Sequence, residues 1–117
     1  MTDLITNYLA CWNETDAEAR RTLIDQHWSG SAIYVDPMVE VVGRDDLSAA
    51  IGAVHERFPD FVFTPVGDLD AHHNQARFQW GLGPAGADPV IIGFDVVVTD
   101  ADGRIEHVLG FLDRIPG

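Results

Sequence analysis

The spacing of apolar residues changes period partway along this chain. In "DLITNYLACW", residues 3–12, they fall at 4, 5, 8, 9 and 12, which predicts a helix with Thr2 as its N-cap. "TDAE", 15–18, places Thr15 three residues before Glu18, the capping-box pattern, and opens a second helix to about Gln26. "HWSGS" breaks that helical pattern. "AIYVDP", 32–37, reads as a short strand stopped at Pro37, and "MVEVVG" as a loop or a further short strand. "RDDLSAAIGAVHERF", 44–58, is a third helix. Asp45 and Asp46 suit its positive N-terminus, His55 and Arg57 suit its last turn, and Pro59 ends it. Beyond it the chain reads as strands over 61–71, 74–82, 89–99 and 104–115, with Pro65 marking an edge or a bulge.

Helices followed by an antiparallel meander of four strands define an α+β domain spanning residues 1–117. Three N-terminal helices should cover one face of a curved, mainly antiparallel sheet, with the early strand at 32–36 adding to an edge. If Ala101 and Asp102 form a two-residue loop in "DADG", Asp95 lies opposite Val108. Ile91, Gly93, Asp95 and Val97 then share a face with Val108, Gly110 and Leu112. Phe94, Val96 and Val98 share the other with His107, Leu109 and Phe111. Both faces are apolar, so the one the helices leave open should meet a second copy of the chain, giving a homodimer through the sheet.

Charge narrows the choice of partner. The formal net charge of −12 argues against nucleic acid and anionic membrane surfaces. No apolar run approaches the ~20 residues of a membrane helix. The N-terminus has an acid at position 3 and no basic region, unlike a signal peptide. The single cysteine, Cys11, rules out an internal disulfide, fits a cytoplasmic protein and reads as a core residue. All seven basic residues are arginines, which excludes lysine Schiff-base chemistry and a P-loop. "HH" at 72–73 reads as a turn, and neither a metal nor an organic cofactor is expected.

Chemistry concentrates on "VIIGFDVVVTD", 90–100, where Asp95 sits inside an otherwise apolar strand. Burial disfavours the charged carboxylate, and a protonated Asp becomes a donor able to stabilise an enolate-like oxygen. Arg77 on the preceding strand is the one cation able to reach it. Asp36 precedes a proline, a common turn signal, but an apolar strand delivers it to the mouth of any pocket. Tyr8 lies on the buried face of the first helix between Leu4 and Trp12, and its hydroxyl needs a partner. Trp12, Trp28, Met38, Phe58, Phe78, Trp80 and Val108 are the candidate substrate-binding residues.

The helix–helix–strand–helix–meander order, "YLACWN" in the first helix, "VDP" after the second and "DGRI" before the last strand together resemble the NTF2-like superfamily. Within it the chain looks closest to the ketosteroid isomerase and SnoaL-like polyketide cyclase branch. The resemblance covers nearly the whole chain and implies a cone of bent sheet and helices around a pocket. It matches the isomerases' tyrosine to Tyr8, their general base to Asp36 and their second aspartate to Asp95. Asp36 would abstract a proton next to a carbonyl and return it elsewhere, while Tyr8 and protonated Asp95 stabilise the enolate oxygen. The implied substrate is a small apolar carbonyl compound, such as a steroid, a polyketide or another cyclic ketone. Two segments, "DQHWSGS" and "GLGPAGADP", look longer than the isomerase pattern and change the pocket rim. Other readings stay open. An aldol cyclase would use Asp95 as acid and base, and an epoxide hydrolase would cluster Asp, Arg and Asn around a water. A non-catalytic binding or dimerisation module would leave Asp95 solvated or tied to Arg77, with no closed cavity.

Overall fold

The computed structural model describes residues 2–115, with backbone alone at Thr2. The helices are α1 (Thr2–Asn13), α2 (Ala17–His27) and α3 (Arg44–Arg57). The strands are β1 (Trp28–Val35), β2 (Glu40–Val42), β3 (Phe61–His72), β4 (Gln75–Pro84), β5 (Ile91–Thr99) and β6 (Ile105–Arg114). All six strands form one sheet in the order β2-β1-β6-β5-β4-β3. The α+β class and the β3–β6 meander agree with the sequence pattern. The early strand expected at 32–36 is present as β1 and is followed by β2 before α3. One detail was not expected: β1 lies parallel to β6, so the mainly antiparallel sheet holds one parallel pair. Among the described residues no helix is long and apolar enough to cross a membrane.

Local chemistry explains where the boundaries moved. α2 is capped by Asp16, not Thr15: Asp16 Oδ2 accepts from the Ala19 N–H at 2.9 Å. Thr2, expected as an N-cap, is the first residue of α1, and its side chain lies outside the described residues. "HWSGS" is largely strand, because Trp28 ends α2 with an extended backbone and begins β1 at once. Pro65 sits in β3, an edge of the sheet, as a residue without an N–H should.

The β5–β6 turn has three loop residues. Asp100 N–H donates to Arg104 O at 2.8 Å, Asp100 Oδ1 accepts from the N–H groups of Asp102 and Arg104, and Gly103 takes φ +82°. With a further irregularity at Val98/Thr99, Asp95 pairs with Gly110 and Val97 with Val108. The expected Asp95–Val108 pairing is therefore displaced by two residues. An even displacement keeps each side chain on its face, so the division into inner and outer faces survives.

The inner face is the core. Ile5, Tyr8, Leu9 and Trp12 of α1 pack with Ile24, Leu47 and Ile51 against the sheet. Asn13 fastens α1 to β3: its Nδ2 donates to Phe63 O at 2.9 Å, and its Oδ1 accepts from Phe63 N–H at 2.7 Å. Trp80 lies against Gly93, its cross-strand partner, where an added Cβ would fall 2.0 Å from the indole. The glycine makes room for the ring that walls the space between helices and sheet.

Candidate active site

That space is a cavity of about 600 Å³, within the range of small-molecule sites. Its wall includes Tyr8, Trp12, Asp36, Met38, Phe58, Trp80 and Asp95. Trp28, Phe78 and Val108, expected on the wall, do not line it. They lie in the core behind it, where Trp28 stacks on the Tyr8 ring at 5.8 Å and Phe78 meets it edge-on at 5.5 Å. Packing on both sides of the ring fixes where the Tyr8 hydroxyl points.

The hydroxyl donates to Asp95 Oδ2 at 2.7 Å. Asp95 is 1% exposed, and its Oδ1 has no hydrogen-bond partner. Burial pushes the Asp95 carboxyl up to about 6, even though the Tyr8 hydrogen bond and, less, the neighbouring Trp80 indole favour the anion; the charge of nearby Asp36 adds to the rise. The Tyr8 hydroxyl is raised well above its ordinary value, first by burial and then by the charge of Asp95.

Asp36 has different surroundings. It is half-buried beyond the end of β1. Its Oδ1 accepts from the N–H groups of Met38 (2.8 Å) and Val39 (2.9 Å), an Asx-type turn, and its Oδ2 accepts from the Tyr34 hydroxyl at 2.6 Å. The site thus contains two Tyr–Asp pairs, one carboxyl buried with an idle oxygen and one held at both oxygens. Gly110 lies between them: a Cβ there would sit 2.8 Å from Asp95 Oδ1 and 3.2 Å from Asp36 Cβ.

Tyr34 was missed in the sequence although its signal was available. It stands two residues before Asp36, so strand alternation puts both on one side, and its hydroxyl titration is raised by burial and by the charges of Asp95 and Asp36. Arg57, read from sequence only as a helix-end charge, also lines the cavity. Arg77 does not approach Asp95. It pairs with exposed Asp70 at 2.9 Å on the opposite face of the sheet, cross-strand from Val96. His72 and His73 are exposed, and among the described residues no three His, Cys, Asp or Glu side chains are grouped to hold a metal ion.

A family model described as a SnoaL-like domain matches residues 5–108. A candidate isomerase of the SnoaL-like family from Agrobacterium tumefaciens shares 41% identity over 96% of both chains, with a TM-score of 0.91. A candidate polyketide cyclase from Sinorhizobium meliloti has 15% identity, covers 95% of this chain and 94% of its own, and has a TM-score of 0.72. A candidate ketosteroid isomerase from Kribbella flavida has 17% identity, covers 98% and 78%, and has a TM-score of 0.71. The last two similarities are of fold alone. Among curated proteins no match was found.

Proposed function

We propose that this chain, which belongs to the SnoaL-like family, moves a proton next to a carbonyl in a small apolar compound, in the manner of a ketosteroid isomerase. The observation that carries this reading is Asp95, sealed in the wall of an apolar cavity with its carboxyl raised to about 6 and bonded to Tyr8. The two carboxyls differ in surroundings, Asp95 raised by burial and Asp36 held at both oxygens by donors, and that difference assigns the acid and the base. Asp36 is the base: it takes the proton from the carbon beside the carbonyl and returns it to another carbon of the conjugated enolate. Neutral Asp95 donates across the same 2.7 Å to the Tyr8 oxygen, freeing the Tyr8 hydrogen for the enolate oxygen. The reaction needs no redox partner, and the single cysteine suits a cytoplasmic setting. The outer face of the sheet, where Phe111 is 57% exposed, pairs with a second copy.

The test is a 5-ene-3-ketosteroid, followed by the ultraviolet absorbance of its conjugated product. Turnover that is lost in Asp36→Asn supports the reading. Absence of turnover removes the isomerase activity on that substrate, and turnover that survives the substitution removes Asp36 as base.

One observation favours a second reading, an aldol cyclase. Both Asp36 oxygens are engaged, whereas Asp95 Oδ1 is not, so Asp95 could serve as both acid and base. In that case Asp95→Asn abolishes ring closure of a polyketide and Asp36→Asn only slows it.

A further inference from the structure

Five side chains bring hydroxyl, carboxyl or guanidinium groups to the cavity wall: Tyr8, Tyr34, Asp36, Arg57 and Asp95. Four are committed to one another as the two Tyr–Asp pairs. Arg57 is not. Among the described residues its side chain, on an exposed residue, has no hydrogen bond and no ion pair, and its guanidinium lies over the Phe58 ring, 5.7 Å from the centroid. The chain holds 19 acidic residues against seven arginines, yet no described carboxylate sits on this one. Its place in the last turn of α3 suits the helix dipole, but that does not require a guanidinium at the rim of an apolar cavity.

We propose that Arg57 receives an anionic end of the ligand, so that the substrate is an apolar carbonyl compound ending in a carboxylate. This rests on the reading of the cavity as the substrate site and gives the ligand a direction. A carboxylate directed inward would meet Asp36 and Asp95. At the rim it meets the one cation on the wall, in planar geometry suited to a carboxylate. The carbonyl then lies at the Tyr8–Asp95 end.

Calorimetric titration with dodecanoate and with dodecan-1-ol, which share a chain and differ in charge, tests this without asking for any chemistry. Arg104 also lacks an ion pair but does not line the cavity, so Arg104→Gln is the charge-matched control. At pH 7.5 and low salt the wild-type chain should bind the acid more tightly than the alcohol, by about threefold or more for a partly exposed pair. Arg57→Gln should abolish that preference, Arg104→Gln should keep it, and high salt should weaken it. Equal affinities, a preference that survives Arg57→Gln, or no binding of either probe overturns the proposal. A chain that shows the preference but does not isomerise the ketosteroid loses isomerase activity on that steroid and leaves this proposal standing.

Discussion

At the scale of one residue, Asp95 links stability to pH in a direction opposite to most carboxylates. Its folded-state value of about 6 lies above the ordinary value of 3.8. The native state therefore holds this proton more tightly than the unfolded chain. The associated stability is fully present below about pH 4 and is lost as pH rises through 6. At pH 8 the native chain must keep a charge where solvent does not reach, a penalty of roughly 3 kcal/mol. Asp95→Asn removes that penalty and keeps an acceptor for Tyr8. Urea unfolding at pH 4, 5, 6 and 8 should show the variant gaining on the wild type as pH rises. Parallel profiles would mean that Asp95 titrates normally. The same proton switches the proposed reaction, so turnover should decline above about pH 6. The oddity of Asp95 was legible in the sequence because one acid interrupts seven apolar residues. Its partner at Oδ2 was less so, because a helical tyrosine and a strand aspartate 87 positions apart leave no local signal. The idle Oδ1 was not legible at all, since it depends on Gly110 in a third element.

At the scale of elements, sequence pattern and structure part where two neighbouring side chains could do the same job. Thr15 and Asp16 are both good N-caps; the backbone places Asp16 at the non-helical position and directs its carboxylate to Ala19 N–H. Asp16→Ala should lower stability by about 1 kcal/mol in thermal or urea unfolding, and Thr15→Ala should change it by less than about half that. The reverse order would return the cap to Thr15. The "DADG" turn shows the same ambiguity with a larger consequence. Asp100 gathers two N–H groups and Gly103 supplies the positive φ, so a three-residue loop displaces a two-residue one. Period two still sorted the strand faces correctly, because it records which side a residue faces and not which residue it meets. The displacement matters because it brings Gly110 rather than Val108 beside Asp95. Gly110→Ala then becomes an informative substitution. One methyl group placed 2.8 Å from Asp95 Oδ1 and 3.2 Å from Asp36 Cβ must push the carboxyls apart. Overpacking of that kind costs about 1–3 kcal/mol, and proton transfer should fall further than stability does. An alanine variant with unchanged turnover would show that the spacing of the two carboxyls is immaterial.

At the scale of the molecule, charge and apolar surface oppose each other. The face of β5 and β6 away from the helices presents Phe94, Val96 and Val98 half-buried, with Leu109 and Phe111 exposed at 38% and 57%. Self-association through this face would remove apolar surface that a monomer leaves in water. Each copy nevertheless has a formal charge of −12, and repulsion between two such copies is strongest when little salt screens it. The proposed dimer should therefore tighten as salt is added, the reverse of an association driven by opposite charges. Sedimentation equilibrium at 20 and 300 mM salt should give a species of twice 12.8 kDa that is better populated at the higher concentration. Phe111→Asp should return it to the monomer. Because Phe111 pairs with Phe94 on the side away from the cavity, that variant should still bind cavity ligands as the wild type does. Loss of ligand binding together with the dimer would mean that the sheet is held in its curve by the partner. A monomer under both conditions would leave the outer face simply solvated.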